Sequence, residues 1–136
     1  MKTSFDILAR LYPVLNVTSV TTLFSTGGRV YRRKPPVNSH KKEISIGTLP
    51  VPDARESDVQ DGTALVNIHC PNFDDGTPDE TSLKAMTDIV VTKIEAYTPT
   101  AGEFCTFKII SENLMQDMDD DKMSYVSLRV NYHIEV

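Results

Sequence analysis

No stretch of this 136-residue chain approaches the ~20 consecutive apolar residues that a bilayer-spanning helix needs, so nothing in it reads as a membrane span. The N-terminal MKTSFDILARLYPVLN has too short an apolar run, and too much charge, for a secretory signal. Cysteine is scarce: Cys70 and Cys105 stand far apart, and neither falls in a CxxC or Cys/His spacing that would hold zinc. Two such thiols fit buried cysteines in a reducing compartment, with a single disulfide as the alternative. Internal repeats, linkers and low-complexity tracts are also missing. Apolar residues make up 40% of the chain and the mean hydropathy is −0.24, which suits one soluble domain over 1–136.

Signs of catalysis are equally thin. An enzyme needs a nucleophile with a base, paired carboxylates or a ligand cluster. His40 sits among polar residues and reads as solvated. His69 and Cys70 are adjacent on an expected strand, so their side chains point to opposite faces. His133 falls on the polar face of the last strand. Asp117, Asp119 and Asp121 have the one-three-five spacing of a calcium loop, but Lys122 occupies the glycine position and Leu128 the bidentate glutamate position. Gly27-Gly28 lacks the lysine and further glycines of a phosphate loop. The expectation is therefore a non-enzyme, with no catalytic residue, cofactor or metal ligand to name.

Charge is what the chain does have, unevenly spread. Acids outnumber bases, 19 to 14, for a net charge of −5, yet six of the 14 bases lie between residues 29 and 42. Their centre is GGRVYRRKPP. Residues 53–80 hold eight acids against one arginine, and residues 112–121 hold five acids and no base. The basic stretch has three readings: an edge strand guarded by charge, a phosphate contact, or a docking surface for a neighbour's acids. In the last, a basic edge and acidic edges elsewhere let copies associate head to tail, which gives a ring when the rotation closes. The candidate contact residues are Arg29, Tyr31, Arg32, Arg33 and Lys34 on the basic side. On the acidic side they are Asp53, Glu56, Asp58, Asp119, Asp120 and Asp121.

The pattern of segments predicts an α+β domain: a mostly antiparallel sheet of four or five strands with two main helices packed on one face. Ser4 and Asp6 open a first helix whose apolar face is Phe5, Leu8, Leu11, Tyr12 and Leu15, ended or kinked by Pro13. Residues 19–24 read as a helical turn or a short extended piece. Strands are expected over 29–34 (stopped by Pro35-Pro36 and placed at an edge), 43–49, 62–70, 104–110 and about 126–134. An acidic arm spans 50–61. A second helix starts with Thr77 as cap, Pro78 at its first position and Glu80 completing a capping box. It runs to about residue 97 with Leu83, Met86, Ile89, Val90, Ile94 and Tyr97 inward. Asp119, Asp120 and Asp121 form the turn before the last strand.

In that order, three segments carry a family likeness: GGRVYRRKPPVNSHKKEISIGTL, then VQDGTALVNIHCPNFDDGTPD with the helix LKAMTDIVVTKIEAY, then SYVSLRVNYHIEV. Over nearly the whole chain this resembles the small tail-completion or tail-terminator proteins (head–tail joining, minor tail) of long-tailed bacteriophages, including prophage-encoded ones. The resemblance implies an α/β sandwich-like fold and a structural virion protein without enzymatic activity. It implies a ring of copies, commonly a hexamer, that caps the tail tube and joins it to the connector beneath the capsid. DNA would pass through without specific binding, and no membrane is involved. The protein would be made in the bacterial cytoplasm and end in the virion. The basic strand would lie at subunit contacts or on the lumen, and the 50–61 arm would reach a neighbour or the tube. The alternative is a small nucleic-acid-binding or regulatory module using 29–34.

Overall fold

The computed structural model describes residues 2–36, 38–52, 59–99, 101–117 and 121–135. Helix α1 (Ser4–Leu15) and the single-turn helix α2 (Thr18–Thr21) precede strands β1 (Val30–Arg32), β2 (Glu43–Thr48) and β3 (Val59–Pro71). Helix α3 (Glu80–Glu95) and strands β4 (Phe104–Gln116) and β5 (Met123–Glu135) follow. The strands make one sheet in the order β1-β2-β3-β5-β4. Only β1 and β2 are parallel; the other neighbouring pairs are antiparallel. The α+β class with a mostly antiparallel sheet is as the segment pattern predicts.

Side-chain alternation gives the sheet two unlike faces. Ile44, Ile46, Val66, Ile68, Leu128 and Val130 share one face and are nearly inaccessible. Ile7, Leu8, Leu11 and Leu15 of α1 join them in one core, as do Leu83, Met86, Val90 and Ile94 of α3. Each such side chain contributes about 1.5–3 kcal/mol by leaving water, so this layer dominates the stability. In α1 the structure corrects the expected stripe: Ile7 is buried, whereas Phe5 is 74% exposed. At ~100° per residue, Phe5 lies about 100° from the centre of the stripe formed by Ile7, Leu8, Leu11 and Leu15.

Helix starts also differ from expectation. Thr3, not Ser4, caps α1: its N–H and hydroxyl both donate to the Asp6 carboxylate, at 2.7 and 3.0 Å. Those hydrogen bonds from Thr3 hold Asp6 below its ordinary pKa. Asp79, not Thr77, caps α3, accepting from the Ser82 N–H at 3.1 Å and its hydroxyl at 2.7 Å. Asp75 has already taken the Thr77 hydroxyl at 2.6 Å, which leaves the negative Asp79 at the positive helix end. Pro13 does not end α1. It lies inside the last turn, where it forfeits one backbone donor, and the helix continues to Leu15. Residues 18–21 resolve the earlier ambiguity as a helical turn.

Strand β4 extends six residues past the expected 104–110, to Gln116. The alternation changes phase in its middle. Ile109 pairs with Val130 and Ser111 with Arg129, leaving Ile110 as the extra residue of a bulge. Before the bulge Cys105, Phe107 and Ile109 face the helices; after it Glu112 and Leu114 do, opposite Leu128 and Val126. Because Ile110 is half exposed and unpaired, its deletion should leave the register intact. A thermal melt of the deletion variant is expected to show a change within about 1 kcal/mol. Loss of cooperative unfolding would show that the bulge sits elsewhere.

At the other end of the sheet Gly62 pairs with Tyr132 of β5. The fully buried tyrosine ring lies across the glycine: a Cβ added to Gly62 would stand 2.1 Å from the Tyr132 hydroxyl oxygen. That hydroxyl has no hydrogen-bond partner, and burial raises its pKa.

Candidate interaction surfaces

Strand β1 forms one edge of the sheet, as the proline-stopped basic stretch leads one to expect. It is shorter than expected. The ladder ends at Arg32, and Arg33 turns away with φ 86, so Arg29, Tyr31 and Arg33 do not form one strand face. The guanidinium of Arg33 stacks 5.2 Å over the Phe5 ring and donates to the Ser4 hydroxyl at 2.7 Å. Arg32 lies 4.8 Å over Tyr12. Two of the five basic-side residues thus lie over rings of α1, and of the two it is Arg33 that covers the exposed Phe5. Arg29 and Lys34 are exposed and Tyr31 is half-buried.

The glycines before β1 have a geometric cause. Gly27 has φ 81, and a Cβ on Gly28 would meet the Lys42 carbonyl oxygen at 2.4 Å. The turn is pinned there by the Ser25 N–H donating to that same carbonyl and by the Lys42 N–H donating to the Ser25 hydroxyl.

Strand β4 is the opposite edge. Four of the six large exposed hydrophobics among the described residues belong to it: Phe104, Ile110, Leu114 and Met115. Between its far half and α3 runs a groove of about 520 Å³ lined by Glu80, Leu83, Lys84, Thr87, Asp88, Glu112, Leu114 and Val126. Lys84 pairs with Asp88 at 2.6 Å, leaving Glu80 and Glu112 as the acids that set the groove's charge. The Thr87 hydroxyl is buried and has no hydrogen-bond partner. Sequence reasoning missed this groove, because the bulge at Ile110 hides the continuation of β4. It also missed Phe5, which a helical-wheel count would have put outside the buried stripe.

On the acidic side, Asp121 is exposed, and its carbonyl accepts from the Asn72 side-chain amide at 3.0 Å. Asp53, Glu56, Asp58, Asp119 and Asp120 lie outside the described residues. So do residues 53–58 of the 50–61 arm, whose last three residues instead begin β3, and the middle of the DMDDD run. Among the described residues, no group of three or more His, Cys, Asp or Glu stands close enough to hold a metal. No described helix is long and apolar enough to cross a membrane.

The sheet face away from the helices carries a polar seam. Ser45 Oγ and His69 Nε2 lie 2.8 Å apart, and His69 stands against Tyr125 with ring centroids 5.6 Å apart. Ser39 donates to the buried Glu43 carboxylate at 2.6 Å, bringing the chain after β1 over this face. Burial pushes His69 down to about 4, with the charge of Asp117 acting the other way. Ser45 is only 3% exposed, so the pair presents no open nucleophile. His133 is instead at the rim, 2.6 Å from Asp61 and edge-on to Phe104. Cys70 and Cys105 are free and buried; burial raises both thiols, Cys70 to about 11. The disulfide alternative therefore falls.

No family model and no curated protein matches the chain. Solved structures do match, 22 chains in all, including one from a structure described as the virion of a native gene transfer agent particle. The match covers 96% of this chain and 95% of that one at 16% identity, with a TM-score of 0.68. At that identity the likeness is one of fold, and it takes in the whole domain on both sides.

Proposed function

We propose that this chain is a structural, non-enzymatic component of a phage-like virion, acting at the head–tail junction as a ring that caps the tail tube and joins it to the connector. The observation that carries the reading is the fold shared, end to end, with a chain of a gene transfer agent virion. The order of sequence segments agrees with it. So does a sheet with a cationic edge on one side and, beside the other edge, an apolar groove that holds Glu80 and Glu112, as a head-to-tail ring needs. A net charge of −5 suits a channel wall that lets a duplex slide rather than hold it. The nucleic-acid alternative has less to rest on, because β1 ends at Arg32 and Arg33 turns away, so the basic side chains do not line up along one strand face as a row of phosphate contacts would.

Deleting the gene in the strain that carries it should leave filled heads and finished tails that do not join, counted by negative-stain microscopy. Mass spectrometry should find the chain in particles from the undeleted strain. Normal numbers of joined particles without the chain would overturn the reading.

A further inference from the structure

We propose that the groove between α3 and the far half of β4 receives Phe5 and Arg33 from a second copy of this chain. The proposal rests on the ring reading above and names the contact that would build it.

The two surfaces complement each other in chemistry. The donor patch is an aromatic ring, 74% exposed, with a guanidinium held 5.2 Å above it. One guanidinium hydrogen bond goes to Ser4, and the remaining N–H groups are available to carboxylates. The groove is an apolar floor of Leu83, Leu114 and Val126 between Glu80 and Glu112, with the unpartnered Thr87 hydroxyl beside it. An aromatic anchor flanked by arginine, entering an apolar slot rimmed by carboxylates, is the usual make-up of an energetically dominant contact. The groove's one cation, Lys84, is already paired with Asp88.

Their positions also fit. Phe5 and Arg33 lie beside β1 at the end of the sheet where β2 finishes, near Thr48 and Leu49. The groove lies on β4, at the opposite edge and toward the end where β5 begins. One molecule cannot bring its own two surfaces together, so each copy offers a donor to one neighbour and a groove to the next. Direct strand-to-strand pairing of β4 with another edge is disfavoured by the bulge at Ile110 and by the exposed Lys108. That leaves side-chain docking in the groove as the way this edge is covered.

The test is disulfide trapping, which captures weak contacts. Two full-length variants, Ala9→Cys one helical turn from Phe5 and Gln116→Cys two residues beyond Leu114 on the same strand face, are mixed near ~1 mM under mild oxidation, a concentration that reveals even millimolar affinity. Both sites are exposed, and unchanged melting curves check the fold. The native thiols are buried and stay silent. The mixed pair should cross-link about ten-fold more than either variant alone. Adding Arg33→Glu to the first variant should abolish the excess, and adding Glu112→Lys to the second as well should restore part of it. Equal yields in all mixtures, or no cross-link at all, overturn the contact. A chain that is found in particles yet fails this test keeps the virion reading and loses only this contact. A chain that passes but is absent from particles does the reverse.

Discussion

Gly62→Ala is expected to destabilise the protein by about 3 kcal/mol, lowering the melting temperature by roughly 10 °C. The new methyl would stand 2.1 Å from the Tyr132 hydroxyl oxygen and 2.4 Å from the ring carbon that bears it. No real Cβ tolerates either distance, so something must move. The tyrosine has nowhere to go: it is fully buried in β5, a strand paired on both sides. Glycine is present here for the space it leaves, since its backbone lies in a regular ladder. A double-mutant cycle with Tyr132→Leu checks the cause. Leucine costs stability alone, by leaving part of the ring's volume empty, but beside it the alanine should cost little. Additive losses would show that the ring is not what excludes the methyl. Tyr132→Phe, which removes a buried hydroxyl without a partner, should be neutral or mildly stabilising.

Stability should also fall by about 3 kcal/mol as pH drops from 6.5 to about 4, because of His69. Its ordinary pKa is 6.5, and burial lowers it to about 4 in the folded chain. Between those values the unfolded chain binds a proton that the folded chain refuses. The contribution of a neutral His69 is therefore complete above pH 6.5 and is lost progressively below it. Carboxylates behave in a lower window. Asp6 and Asp79, held below their ordinary 3.8 by hydrogen bonds, weaken the fold only as pH falls through and beneath that value. Urea titrations at pH 7.5, 6, 4.5 and 3 separate the two effects. His69→Gln should flatten the upper part of the profile while leaving the acid limb in place. Parallel profiles for the two proteins would remove His69 as the cause.

Much of the architecture was legible where one physical signal acted alone. The final strand alternates without interruption from Val126 to Ile134, and α3 shows its inward residues three and four apart. Elsewhere two signals competed. Thr77 and Asp79 could each cap α3, and a hydrogen bond from Thr77 to Asp75, which depends on the turn before it, decided for Asp79. The single extra residue at Ile110 reversed the phase of β4, so a continuous strand read as a strand followed by a loop. That misreading hid Glu112 and Leu114, and with them half of the contact surface. Parallel pairing of β1 with β2 left no sequence mark, because no hairpin turn links them. The basic stretch was found by charge alone, but its contact with Phe5 depends on α1 crossing beside β1, which no local pattern encodes.

The order of strands in the sheet differs from their order along the chain, and this has a consequence in time. Strand β3 pairs along its entire length with β5, Val59 with Glu135 and Pro71 with Met123, while α3 and β4 lie between them in sequence. A ribosome therefore delivers β3 well before the partner that covers one of its sides. Contacts of such wide separation form slowly, and until β5 emerges a 13-residue ladder edge stays bare. In the cell that interval is when a nascent copy is most open to chaperones, or to pairing wrongly with another unfinished chain.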